Sequence, residues 1–208
     1  MTPDLAEIYS VEQVRKKWAW SRDYQDWEKL RECFHDDAFI EVSWYRGDRD
    51  GFISRSAALA EKREPEERSK HWLGNQRTEI RGNRAILETD AQIQGRNFVE
   101  GHLMDSTSYA RFYDLLEKRD GVWRISKWYC FFDKDQLVPV MPGSVPPEWY
   151  DGVVMSGIES SFAFMRWRQK RIGRVTISDI ILGQSPAEAE KRVEGQAWLA
   201  GAKVGAGV

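Results

Sequence analysis

Residues 71–132 form a long stretch in which apolar and polar residues alternate as they do in β-strands, and this pattern limits the possible folds of the chain more than any other. Short turns interrupt the alternation, one at Gly82 and another at Gly121. Because strands joined by such short turns run antiparallel, this stretch predicts an antiparallel meander. We expect its strands at residues 71–81, 84–94, 106–118 and 122–132, with a loop or widened hairpin at GRNFVEGH.

Helical patterns precede the meander. Residues 10–34 have helical periodicity, with Ser10 as the N-cap and a second short helix in QDWEKLRECF. Residues 52–66 form the next helical segment, and a strand at Phe39–Tyr45 lies between the two. Helices followed by a run of antiparallel strands predict a small α+β cup.

The last third of the chain differs in composition. VPVMPGSVPPEWYDG is rich in proline and glycine, and two helical segments follow it, SSFAFMRWRQKRIGRV and SPAEAEKRVEGQAWLAG, the second with a capping start at Ser185. We therefore predict an α+β domain in residues 1–135. Residues 136–208 are predicted to be a helical extension that packs on this domain or on a neighbouring subunit. The basic RWRQKR segment is expected to be a solvated or subunit-facing helix.

Composition limits the partners. The formal net charge of −2 argues against a nucleic-acid partner, and no apolar run approaches the roughly 18 residues that a membrane span needs. MTPDLAEIYS lacks the features of a signal peptide, and the two cysteines form no spacing motif, so we expect reduced thiols and a cytoplasmic location. Ten tryptophans are many for this length, and aromatic residues at this density often line pockets for flat apolar ligands.

No cofactor or metal motif is present in the sequence. The three histidines have no ligand spacing, and there is no G-x-G-x-x-G, Walker-type lysine or G-x-S-x-G elbow. We therefore expect chemistry that uses side chains alone. The candidate pair is Asp23, on a helix, and His71, 48 residues later at the start of a strand. A buried carboxylate beside an imidazole is a common way to make a general base near neutral pH.

Four segments in this order resemble the nuclear transport factor 2-like superfamily, and most closely its SnoaL-like branch. They are RDYQDWEKLRECFHDDAFIEV, KHWLGNQRTEIRGNRA, the VEGH loop and EKRDGVWRISKW. The resemblance covers about residues 10–132 and implies a cone-shaped, curved antiparallel sheet wrapped around the N-terminal helices, with a pocket inside. Asp23 and His71 fall on the catalytic positions of the branch, which implies His71 as the base and Asp23 as the group that orients it.

The sequence also departs from the branch. Lindane dehydrochlorinase has basic residues where this chain has Trp18 and Trp128, and scytalone dehydratase has a tyrosine where Arg22 stands. We infer from these differences that the pocket has lost positive charge and gained indole rings. A larger aromatic substrate would suit such a pocket.

Further candidate site residues are chosen because they lie at the ends or on one face of predicted strands. Tyr45 and Arg46 end the first predicted strand, where they would bind a substrate hydroxyl or a developing oxyanion at the cup mouth. His102 would assist as an acid. Tyr109 and Arg111 share one strand face, either inside the cup or toward another subunit. The wall is predicted to contain four tryptophans: Trp20, Trp44, Trp72 and Trp128.

The resulting prediction is a cofactor-independent lyase that removes water or formaldehyde from an aromatic small molecule, such as a lignin-derived diarylpropane. An isomerase or cyclase of the steroid or polyketide kind is one alternative, and a non-catalytic binding or assembly module is another. The open sheet of this fold also predicts a homo-oligomer, a dimer or a trimer.

Overall fold

The computed structural model describes residues 4–174 and 176–201. Two helices, a strand pair and a third helix precede a meander of four long strands, and short helices form the remainder. The elements are α1 (Leu5–Asp23), α2 (Trp27–Arg31), β1 (Phe34–Val42), β2 (Tyr45–Asp48), α3 (Arg49–Glu61), β3 (Arg68–Arg81), β4 (Arg84–Val99), β5 (His102–Arg119), β6 (Val122–Pro139), two 3-10 helices (Pro147–Tyr150 and Gly157–Phe162), α4 (Ala163–Arg171) and α5 (Pro186–Leu199).

The six strands form one curved, open sheet in the order β2-β1-β6-β5-β4-β3. The predicted α+β class and the antiparallel meander β3–β6 are confirmed. One pair differs from the prediction, because β1 and β6 run parallel. A long connection through α3 and four strands separates them, so no short turn forces opposite directions.

The first helix begins earlier than the sequence predicts. Its N-cap is Asp4, whose carboxylate accepts a hydrogen bond from the Ala6 amide at 3.0 Å. Ser10 lies inside the helix and donates its hydroxyl proton to the Ala6 carbonyl at 2.8 Å. The helix ends at Asp23, and Gln25 then takes a positive φ of 60° before α2 begins. The helical segment predicted over residues 10–34 is therefore interrupted after Asp23, and the second short helix predicted in QDWEKLRECF is confirmed as α2.

The meander strands are longer than their alternation indicates. GRNFVEGH forms paired strand up to Val99, and a tight turn at Glu100 and Gly101 joins β4 to β5. The predicted hairpin is therefore present, but it is tight rather than widened because polar residues such as Asn97 continue the alternation across the ladder. Two other elements also differ from their predicted bounds. β1 lies at Phe34–Val42 rather than Phe39–Tyr45, and α3 lies at Arg49–Glu61 rather than at residues 52–66.

The main core lies on the inner face of the sheet, around α1. An ion pair is embedded in it, between Arg15 on α1 and Asp114 on β5, and neither side chain is exposed. The Arg15 guanidinium also lies 4.6 Å from the ring centroids of Trp18 and Trp128, and 4.8 Å from that of Phe112. The pair therefore joins α1 to the sheet directly behind the aromatic wall of the site described below.

The outer face of the sheet is partly covered by α5. Ser185 caps this helix as predicted, accepting from the Glu188 amide at 3.2 Å. Glu194 accepts a 2.7 Å hydrogen bond from the Tyr129 hydroxyl, and Gly195 lies against Tyr113. This region of the chain therefore covers a sheet face that the sequence leaves open to a neighbouring subunit; the homo-oligomer stays a prediction.

The other extension helix, α4, returns to the inner side. The Met165 amide at its start donates a 2.6 Å hydrogen bond to Asp135 on β6. The last strand runs on to Pro139, past the predicted boundary at residue 135. Among the described residues, no helix combines the length and apolarity that crossing a membrane would require.

Candidate active site

Asp23 and His71 lie side by side, Asp23 at the end of α1 and His71 near the start of β3. His71 Nδ1 is 2.7 Å from Asp23 Oδ1, and the His71 backbone amide donates to Asp23 Oδ2 at 3.1 Å. An ionised carboxylate only accepts hydrogen bonds, so Nδ1 carries the proton and Nε2 keeps its lone pair. Trp18 packs edge-on against the imidazole, with ring centroids 4.9 Å apart. The ring is thus held in one orientation with its basic nitrogen unused.

Burial and the charge of the neighbouring group shift the pKa values of both His71 and Asp23. Burial lowers the pKa of His71 below 6.5, and the hydrogen bond and charge of Asp23 oppose this shift. Burial acts to raise the pKa of Asp23, but the hydrogen bonds and charge of His71, together with Lys70, lower it below 3.8. At neutral pH the arrangement therefore holds an ionised carboxylate and a neutral imidazole, which is a competent general base.

A cavity of about 420 Å³ opens in front of His71, between the inner sheet face, α1, α3 and α4. Its apolar wall consists largely of aromatic rings packed edge to face; Trp18 and Trp128 have centroids 4.9 Å apart. The size suits a ligand with one or two aromatic rings. The aromatic lining residues are Trp18, Trp44, Phe52, Phe112, Trp128 and Phe132.

The cavity is also rich in cations, contrary to the inference that positive charge has been lost. Arg22 from α1 and Arg168 from α4 line it while only 8% and 5% exposed. Arg63 and Arg174 line it as well. The positive charge of this cavity comes from the end of α1, the segment after α3 and the extension rather than from the two positions now occupied by tryptophan.

The structure brings together only some of the predicted site residues. His71, Trp44 and Trp128 line the cavity, and Asp23 backs His71. Tyr45 is buried elsewhere, its hydroxyl donating to the Asp48 carbonyl at 2.9 Å. Arg46 bridges two carboxylates outside the cavity, Glu41 at 2.6 Å and Asp179 at 2.8 Å. The first strand ends at Val42, three residues earlier than predicted, which moves both side chains away from the mouth.

The remaining predicted residues lie outside the cavity for identifiable reasons. Trp20 and Trp72 are 64% and 62% exposed, since each points away from the core on its own element. His102 sits at the far β4–β5 turn against Trp149, with ring centroids 5.8 Å apart. Tyr109 and Arg111 lie on the outer sheet face, where Arg111 pairs with Asp90 at 2.7 Å and Lys134 covers the Tyr109 ring.

Sequence reasoning missed the cationic lining. Arg22 could have been found, since it shares a helical stripe with Val14 and Trp18, both of which point inward. Arg168 belongs to RWRQKR, which the sequence predicts to be a solvated or subunit-facing helix. Arg168 is instead buried against the cavity and donates to Asn97 Oδ1 at 2.6 Å. No local pattern marks it, because α4 reaches the cavity only through the long crossing after β6. Within the described part of the chain, no cluster of His, Cys, Asp and Glu could hold a metal ion.

The curved sheet around an inner cavity defines a nuclear transport factor 2-like α+β protein. More narrowly, the chain belongs to the SnoaL-like domain family, whose sequence model matches residues 3–129. Among curated relatives it is 29% identical over 143 residues to pea pathogenicity protein 2 of Fusarium vanettenii, covering 67% of this chain and 60% of that protein. The chain thus spans about three fifths of the length of that relative.

Solved structures support the fold at low sequence identity. A hexachlorocyclohexane dehydrochlorinase of Novosphingobium barchaimii superposes with a TM-score of 0.56 at 22% identity, covering 69% of this chain and 97% of that one. A candidate scytalone dehydratase of Novosphingobium aromaticivorans also gives 0.56, at 15% identity, covering 68% and 97%. At these sequence identities the structural similarity is evidence for a shared fold.

Proposed function

We propose that this protein is a cofactor-independent lyase that eliminates water, or releases formaldehyde, from an aromatic small molecule. The observation that carries the proposal is the 2.7 Å contact between His71 Nδ1 and Asp23, which leaves Nε2 as a base beside an aromatic cavity. Two of the solved structures of similar fold are named as a dehydrochlorinase and a candidate dehydratase, both of which suggest elimination chemistry.

In the dehydration, His71 Nε2 removes a proton from carbon, and the electron pair of that C–H bond forms the new double bond. The neighbouring C–O bond breaks, and the departing hydroxyl takes a proton from the imidazolium to leave as water. Asp23 stabilises the positive charge of the imidazolium while it exists. No redox step and no external acid is needed.

In the deformylation, Nε2 removes the proton of a primary hydroxyl instead. The C–C bond then breaks as formaldehyde leaves, and its electron pair expels the adjacent benzylic hydroxyl, which is protonated to water. The edge-to-face rings of Trp18, Phe112 and Trp128 would hold a diarylpropane diol for this step.

A second candidate is an isomerase that returns the proton to another carbon. It is favoured by donors in the cavity wall that have no partner among the described residues, namely the indole N–H groups of Trp18 and Trp128 and the Ser108 hydroxyl. Such donors suit an enolate oxygen.

The test is a mass-resolved assay of purified protein without added metal or cofactor, against aromatic alcohols and diarylpropane diols. Asp23→Asn and His71→Ala are compared with wild type, and His102→Ala is the control because that histidine lies outside the cavity. Loss of water or formaldehyde that both variants abolish supports the lyase. Products of unchanged mass support the isomerase. Turnover that survives both variants contradicts the role of the pair, and ligand retention without turnover in any protein supports a binding module.

A further inference from the structure

Four arginines converge on one cavity from separate parts of the chain. Arg22 lies in the last turn of α1 and Arg63 follows α3, while Arg168 and Arg174 belong to α4 and the segment after it. Elements this distant in sequence place them around the same space only in the folded protein. Lys62, Arg55 and Arg68 add positive charge to the lining.

These arginines are poorly compensated by the protein. None of the ion pairs among the described residues includes Arg22, Arg63, Arg168 or Arg174. Nη1 of Arg22 and Nε of Arg168 are buried without a hydrogen-bond partner in that part of the chain. Burial lowers the pKa of Arg22 to about 10, and the charge of Arg63 acts in the same direction. Burial likewise lowers the pKa of Arg168 to about 10, with Arg174 contributing. All remain protonated at neutral pH, so like charges repel across a partly desolvated space.

The nearby carboxylates have other partners. Glu67 accepts hydrogen bonds from the backbone amides of Phe98 and Glu64. Asp23 is bound to His71, and Asp135 accepts from the Met165 amide. Burial also raises the pKa of Asp135 to about 6, which weakens it as a counter-charge. The described residues that line the cavity include no aspartate or glutamate.

We propose that this cavity takes aromatic substrates that carry a carboxylate, with Arg22, Arg63, Arg168 and Arg174 holding the carboxylate and the tryptophan–phenylalanine wall holding the ring. Guanidinium groups bind carboxylates with paired, charge-assisted hydrogen bonds, and the unpaired N–H groups of Arg22 and Arg168 are of the kind such a ligand satisfies. The proposal rests on the proposed function in one respect, that the aromatic ligand is the substrate of the same cavity.

The test uses two probes that differ in charge and little in shape, biphenyl-4-carboxylate and biphenyl-4-ylmethanol. Calorimetry gives the dissociation constant of each for wild type and for the Arg63→Gln/Arg174→Gln double variant. These two arginines make no protein ion pair among the described residues, so their loss is expected to leave the fold intact, which circular dichroism checks. Arg81→Gln is the matched control, an exposed arginine at the end of β3 outside the cavity.

We expect wild type to bind the carboxylate roughly tenfold or more tightly than the alcohol, because charge-assisted hydrogen bonds add that much. The double variant should lose most of this preference while binding the alcohol unchanged, and Arg81→Gln should keep it. Added salt should weaken only carboxylate binding. An equal affinity of wild type for both probes, binding of neither, or a preference that survives the double substitution would overturn the proposal.

The proposed carboxylate-binding site, called the anion site below, and the proposed lyase activity can be tested separately. His71→Ala should abolish turnover yet retain the carboxylate preference, since a neutral imidazole contributes no charge. A wild type that shows the preference but turns over no substrate would leave the anion site standing without the lyase. Turnover of neutral diols by a protein without the preference would leave the lyase and remove the anion site.

Discussion

Replacing Asp114 with asparagine should strongly destabilise the protein. The Arg15–Asp114 pair is fully buried, with Nε donating to Oδ2 at 2.9 Å and Nη2 donating to Oδ1. Removing one partner of a buried ion pair costs about 3–5 kcal/mol, since the other charge is left uncompensated. The asparagine oxygen would keep one hydrogen bond, worth about 1 kcal/mol. The expected loss is therefore about 2–4 kcal/mol for Asp114→Asn.

Thermal unfolding followed by circular dichroism measures this loss. For a chain of this size each kcal/mol corresponds to about 2–4 °C, so Tm should fall by roughly 4–16 °C. Asp105→Asn is the control on the same strand. Asp105 forms a pair of similar geometry with Arg96, at 2.7 Å for both contacts, but both side chains are 41% exposed. An exposed pair contributes about 0–1 kcal/mol, so Tm should barely move.

A second comparison separates the charge from the packing. The double variant Arg15→Met/Asp114→Leu removes both charges and keeps apolar volume between Trp18 and Trp128, so it should recover most of the stability lost by Asp114→Asn. Equal Tm decreases for Asp114→Asn and Asp105→Asn would show that burial of the pair does not set its importance. A double variant less stable than Asp114→Asn would refute the argument from uncompensated charge.

Three further outcomes are expected. The acidic limb of kcat/KM for the proposed reaction should have its midpoint below pH 6.5, because burial lowers the pKa of His71 and the base must be neutral. In the inactive Asp23→Asn variant the pKa of His71, followed by NMR titration of its ring protons, should be lower still, since Asp23 opposes that shift; a pKa that moves upward would contradict the assigned interaction. Gly195→Ala should lower Tm despite the higher helix propensity of alanine, because its Cβ would lie 2.8 Å from Tyr113 Cζ. Adding Tyr113→Phe should restore part of the lost stability. A more stable Gly195→Ala would show that α5 shifts away from the sheet at little cost. Iodoacetamide should label Cys130 only after unfolding, as peptide mapping would show, because burial raises the pKa of its thiol; rapid labelling of the native protein would mean that the cavity wall opens.

Much of the fold follows from local patterns in the chain. Alternation, together with the turns at Gly82 and Gly121, predicts the meander, because a short turn leaves two strands only one way to pair. Asp23 and His71 fall in segments that resemble the SnoaL-like branch, and this resemblance predicts that both lie at one site. The structure shows them in contact. Their catalytic role stays a prediction.

Local patterns and the family resemblance are thus enough to predict the element order, the antiparallel meander and the pairing of one acid with one imidazole, since each depends on nearby residues or on a resemblance spanning the domain. Three features emerge only in the folded chain: the parallel pairing of β1 with β6, the covering of the outer face by α5 and the charge of the cavity. The cavity's charge, for example, arises because contacts between elements far apart in the chain bring together Arg22, Arg63, Arg168 and Arg174. Neither helical nor strand periodicity records which distant side chains share a space.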